Sequence, residues 1–214
     1  MPDSASLLKT SLVVLVGLVV IRSQAWRAVI VLWPTSVRVD AEDPSEVAMV
    51  PDALGASWSV LVELGFRWLG THSEQPLGGP ATLFFDAVHP EALAFASLFL
   101  HEGQPRILLL TGAEQGFVLT CDYQRVARAV EGRYLAGGLE GVGPQRLFKA
   151  HQRRVAELGA PQGEASLEGR VELGRRWYRG PGRADLRLQH AVGLLWTLGG
   201  LLVVIAGAYG LWGE

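Results

Sequence analysis

The chain has 214 residues, 19 Lys and Arg against 21 Asp and Glu, and a formal net charge of −2. Charged residues make up only 19%, against about 25% in typical globular domains, and mean hydropathy is +0.24. This balance excludes a disordered chain and argues against a general nucleic-acid binder, whose affinity rests on net positive charge. One cysteine excludes an intrachain disulfide and a Cys-based zinc cage.

The first segment, Leu7–Ile21, is apolar except for Lys9, Thr10 and Ser11. Its core, Leu12–Ile21, has the length of a signal-peptide apolar region, and Ser23-Gln24-Ala25 gives a small-x-small cleavage pattern. The competing reading is a first transmembrane helix over residues 7–30. Leu7–Ile21 alone spans about 22 Å. Such a helix therefore draws on Ala25, Trp26 and the run Ala28–Trp33, with Arg22 and Arg27 snorkelling.

Residues 34–50 read as a connection. Val37 and Val39 alternate with Arg38 and Asp40 as in a short strand, and Asp43-Pro44-Ser45 reads as a turn. Pro51–Gly65 has Leu54, Trp58, Leu61 and Val62 at helical spacing, with Pro51 suited to the first turn and Gly65 to the C-terminal cap. Phe66–Gly70 predicts a short strand and Thr71–Pro80 a loop, and Ala81–Val88 predicts a strand ended by His89-Pro90-Glu91. The run Ala92–Leu100 suits either element, since alanine and leucine favour a helix, but its strand neighbours and short length place it as a strand.

Arg106–Thr111 and Phe117–Asp122 are the clearest strand pair, joined at hairpin length by Gly112–Gly116. Residues 123–144 read as irregular. Gln145–Leu158 predicts a helix with Leu147, His151, Val155 and Leu158 on one face. Residues 161–190 form an arginine-rich approach to the last segment. Ala191–Trp212 carries no charge and is about 33 Å long as a helix, enough for a bilayer core of about 30 Å.

Charge asymmetry orients these segments. Arg22, Arg27 and Arg38 follow the first, and Arg170, Arg175, Arg176, Arg179, Arg183 and Arg187 precede the last. The positive-inside rule then puts the middle of the chain in the cytoplasm between two spans of the cell membrane. A cleaved signal peptide would instead leave an external domain with one C-terminal span. The six arginines also suit anionic lipid, at about 1 kcal/mol each near the surface. In the last span Gly193, Gly200 and Gly207 recur every seven residues with Thr197 between the first two. That stripe fits close packing against a helix, either the first span at Gly17 or a second copy.

Chemistry-bearing motifs are incomplete. His72-Ser73-Glu74 and His89-Pro90-Glu91 read H-x-E, but Cys121 is followed by Asp122 and Tyr123, so the P-C-x-x-C of zinc deaminases is missing. Asp86, His89 and Glu91 form the best metal or acid/base grouping, weighed against solvated turn residues, and His72 and His101 also fall at strand or loop ends. Cys121 with His151 is a nucleophile–base candidate, weighed against a small core residue on the strand face of Phe117 and Leu119. Gly137-Gly138 with Gly141 and Gly143 departs from the dinucleotide fingerprint.

The sequence therefore predicts an α+β fold: a small antiparallel sheet with packed helices over residues 35–160, flanked by membrane segments at 7–30 and 191–212. No metal or cofactor is expected. The expected partners are the bilayer and a protein partner, or self-association through the C-terminal helix, without nucleic acid. The functional expectation is a membrane-tethered interaction or assembly module rather than an enzyme. The alternative is a membrane-bound enzyme, such as a hydrolase, built on Asp86, His89 and Glu91.

Overall fold

The computed structural model describes residues 4–42, 50–130 and 132–212; the Asp43-Pro44-Ser45 turn lies outside them. Within these residues the chain is α+β, with a nine-stranded, mostly antiparallel sheet and five α-helices. The sheet is larger than the small one expected, for reasons that lie in three segments.

The first is β2, Arg67–Gln75, which pairs with β1 (Arg38–Ala41) and β3 (Thr82–His89). Its second half, Thr71–Gln75, carries polar residues and looked like loop. These residues stay in the sheet because Thr71, His72 and Glu74 are buried against charged partners. The second is the irregular stretch, which contains β7 (Arg128–Val130) and β8 (Tyr134–Gly138). Gly138 is required there because a Cβ would strike the Tyr123 carbonyl oxygen. The third is β9, Pro161–Gln162, which pairs with the end of β5.

β4 (Ala94–His101), β5 (Gln104–Ala113) and β6 (Gly116–Cys121) complete the strand order β1-β2-β3-β4-β5-β6-β8-β7, in which β6 and β8 are parallel. β4 is buried from Ala94 to Phe99. Strands covered on both faces lose their polar alternation, which is why Ala92–Leu100, read as a strand, suits a helix equally well by composition.

One face packs on α2 (Asp52–Glu63) and α3 (Pro144–Glu157) through Leu54, Leu61, Phe85, Ala96, Leu109 and Leu147. The other face packs on α4 (Leu167–Arg179) through Phe84, Phe95, Leu110, Leu173 and Trp177. Each fully buried side chain of this size contributes about 1.5–3 kcal/mol. Ser166 caps α4 by accepting from the Gly169 amide at 3.0 Å. The arginine-rich stretch before the last apolar segment is thus largely helix packed on the domain.

The remaining helices, α1 (Ser4–Leu32) and α5 (Gly182–Trp212), form an antiparallel hairpin. Both are long and apolar enough to cross a membrane, and only 17% of the most apolar window of each is buried; a core helix would be covered. The helices cross at Gly17 and Gly200, where a Cβ on Gly200 would lie 3.0 Å from the Gly17 carbonyl oxygen. Gly193 packs on the Arg27 side-chain stem and Gly207 on Val14. The Thr197 hydroxyl donates to the Gly193 carbonyl at 2.8 Å. The small-residue stripe therefore faces the first helix of the same chain.

Candidate functional site

Two places in the molecule gather chemistry-bearing side chains. The first is a buried charge network between the sheet and α4, in which Arg170 Nη1 and Nη2 have no hydrogen-bond partner. His72 and Glu74, two apart on β2, share the α4 face with Asp86 of β3 and Ser97 of β4. His72 Nδ1 bonds Asp86, and its Nε2 lies 3.3 Å from Glu74 Oε1. The Ser97 hydroxyl donates to Asp86 Oδ1 at 2.6 Å and accepts from Arg170 Nε at 3.0 Å. The Arg170 guanidinium also lies 3.6 Å from both Glu74 and Asp86. The Tyr178 hydroxyl donates to the other Glu74 oxygen, and Phe84 stacks on His72 with ring centroids 4.8 Å apart.

Burial disfavours every charge in this group, and the opposite charges outweigh it. Burial pulls the His72 pKa down, but Asp86 and the carboxylate hydrogen bonds leave it raised. Burial pushes Asp86 and Glu74 up, but His72 and Arg170 leave both lowered. Arg170 and the His72 imidazole thus face two carboxylates. Burial and the Glu74 carboxylate push the Tyr178 phenol well up, so it remains a donor. The Ser97 proton points to a carboxylate rather than an imidazole, so this is a different arrangement from a serine nucleophile with its base. His72, Asp86, Ser97 and Arg170 are all fully buried.

On the opposite face a neutral chain runs through His151. Thr111 donates to the Leu93 carbonyl at 3.3 Å, so its oxygen accepts from His151 Nε2 at 2.9 Å. His151 Nδ1 then accepts from Thr120 at 3.1 Å, and Thr120 in turn accepts from Arg154 at 3.1 Å. Burial, with Arg154 nearby, pushes His151 down to about 3. Cys121 sits on the other face of β6 among apolar neighbours, with its thiol pushed up by burial. It is not paired with His151.

Asp86, His89 and Glu91 do not come together. Strand alternation places Asp86 toward α4 and His89 toward α3, where His89 packs on Phe66 and Phe148 and accepts from the Ala92 amide. Glu91 is exposed in the turn. His101 is exposed at the end of β4, so the three strand-end histidines do not converge. The six arginines divide. Arg170 is in the buried network. Arg175 donates to the Val39 carbonyl and pairs with Asp40 at 3.0 Å. Arg179 lines a groove with Arg38 and Tyr178.

Arg176, Arg183 and Arg187 reach the second place, an open cleft of about 760 Å³ beside the start of α5. The β7–β8 hairpin adds Arg128 and Arg133, and the β5–β6 turn adds Glu114 and Phe117. Arg176 lies over the Phe117 ring, 5.5 Å from its centre. Arg128 donates to the Ala184 carbonyl at 3.2 Å, and Arg187 donates to the Val31 carbonyl of α1 at 3.2 Å. Next to the cleft, Asp185 in the first turn of α5 is fully buried and pairs with Arg125. Sequence spacing revealed three of the five cleft arginines; Arg128 and Arg133 arrive through a hairpin that carries no strong strand pattern.

Among the described residues no group of three or more His, Cys, Asp or Glu side chains is arranged to hold a metal ion. No family model, curated protein or solved structure matches the chain.

Proposed function

We propose that this chain is a two-span membrane protein whose α+β domain faces the cytoplasm and serves as a binding and assembly module for a protein partner. The observation that carries this reading is the seating of the domain directly on the α1–α5 hairpin. Trp26 of α1 packs on Gly79 in the β2–β3 turn, Arg125 holds Asp185, and α4 passes into α5 through Gly180 and Pro181 alone. A domain seated this way presents a fixed surface at the bilayer. His72, Asp86, Ser97 and His151 are meanwhile buried in hydrogen-bonded networks between the sheet and its helices. Cytoplasmic placement follows from Arg22, Arg27 and the arginines of residues 170–187 by the positive-inside rule.

The test is a reporter active only outside the cell, inserted after Gly103, where the β4–β5 turn has open space around it. An inactive reporter and an intact Met1 end are expected. An active reporter with Trp26 at the N-terminus would overturn the topology in favour of an external domain. Purification of the full chain in mild detergent is expected to retain a stoichiometric protein partner; a chain recovered alone and monodisperse would overturn the assembly role.

A further inference from the structure

We infer that the arginine-lined cleft is a binding site for a phosphate-bearing anion of small-molecule size. Among the described residues, five exposed arginines, Arg128, Arg133, Arg176, Arg183 and Arg187, line it with one carboxylate, Glu114. Among the described residues none of the five pairs with an acidic side chain. By contrast, Arg125, Arg170 and Arg175 of the same domain each meet one. Glu114 is itself turned against Gly159: a Cβ there would lie 2.8 Å from its Oε2.

A second observation points to a missing acceptor. Tyr134 lines the cleft and is 2% exposed, yet its hydroxyl has no hydrogen-bond partner. It is a donor set in the wall of the cleft, in the electrostatic field of Arg128 and of Asp185, whose Oδ1 also has no hydrogen-bond partner. Arginine forks match phosphate oxygens in two-point contacts. The volume lies in the range of small-molecule sites, about 300–1,000 Å³. Two sources can present this chemistry. One is a soluble organic phosphate. The other is the headgroup of an anionic phospholipid, because Arg187 lies one turn before the uncharged run of α5, about 6 Å along the axis. The inference does not depend on which side of the membrane the domain faces.

The full chain in neutral detergent is titrated calorimetrically with inorganic pyrophosphate. In parallel it is reconstituted in nanodiscs holding equal phosphatidylglycerol and phosphatidylcholine, and native mass spectrometry reads the lipid retained. Saturable binding of at least one probe is expected. Arg133→Gln with Arg183→Gln is expected to weaken it roughly 25-fold, about fivefold for each arginine. The control pair Arg146→Gln with Arg153→Gln, exposed on α3 across the sheet, is expected to stay within about twofold of the parent. Matching thermal melts show that the variants are folded. Pyrophosphate binding without lipid preference supports the site and assigns a soluble ligand; selective retention of phosphatidylglycerol, lost in the cleft variant, supports it and assigns a lipid. Absence of saturable binding to either probe, or equal losses in cleft and control variants, overturns the inference.

Discussion

Arg170 and Arg176 lie less than two turns apart on α4 and meet opposite circumstances. Arg170 points into the sheet, fully buried, with Asp86, Glu74 and Ser97 around it. Arg176 points outward into a cleft with four other arginines and lies on an aromatic ring. The difference follows from solvent. A charge removed from water needs compensation of several kcal/mol, so the inner arginine has two carboxylates nearby. An exposed one keeps its hydration and tolerates like-charged neighbours. Balanced charge under α4 serves cohesion, whereas unbalanced charge in the cleft is available to a ligand.

The largest way to break this contrast is to remove the inner cation. Arg170→Leu leaves two carboxylates facing one imidazole in the interior, and the expected loss is about 3–5 kcal/mol, read from thermal unfolding of the full chain in detergent. Coupling between Arg170→Leu and Asp86→Asn in a double-mutant cycle is expected to exceed about 0.5 kcal/mol; strict additivity would mean that the pair does not act as a unit.

The next effect concerns the hairpin on which the domain sits. Gly200→Ile forces a branched side chain onto the Gly17 carbonyl, with an expected loss of about 1–3 kcal/mol from overpacking. An unchanged melting temperature would show that α1 and α5 do not pack at this crossing in the detergent-solubilised chain.

The pH profile separates the two faces of the sheet. His151 is held near 3, below its ordinary 6.5, so the unfolded chain binds the extra proton. Its contribution is present above about pH 6.5 and is lost as pH falls toward 3. His151→Gln is expected to flatten that limb. His72 is raised, so its contribution is complete below about 6.5 and is lost as pH climbs through its folded value. Asp86 and Glu74 are lowered; their contribution is present above the ordinary carboxylate range and disappears in acid. An alkaline limb that persists unchanged in His72→Gln would contradict the charged state assigned to His72.

The smallest effect is expected in the cleft. Arg133→Gln and Arg183→Gln break no ion pair among the described residues, so each is expected to change stability by no more than about 0.5 kcal/mol. A larger loss would place these residues on the cohesive side of the comparison.

The sequence made some of this legible and hid the rest. Uninterrupted apolar length revealed both long helices, and the seven-residue recurrence of Gly193, Gly200 and Gly207 revealed a packing face. The hairpin of Arg106–Thr111 and Phe117–Asp122 followed from local pattern, and the structure extends it as β5 and β6. The second half of β2 was hidden because a strand that buries His72 and Glu74 needs partners that are distant in sequence. One signal was present: two residues apart on a strand means one face. Arg170 also stood at the head of the stripe Arg170, Leu173, Gly174 and Trp177 on α4, all buried, which marks it as inward-facing. Arg128 and Arg133 gave no comparable signal. Their meeting with Arg183 depends on β8 pairing parallel to β6, and nothing in the local sequence specifies that pairing.

The unbroken course of α5 carries a mechanical consequence. Its 31 residues form a rod of about 46 Å, clamped near one end by Arg125 on Asp185 and wedged along its length against α1. In a bilayer, thinning tilts such a hairpin instead of compressing it. Because Arg125 ties the first turn of that rod to the domain, any change in the tilt of α5 would be felt first at this ion pair.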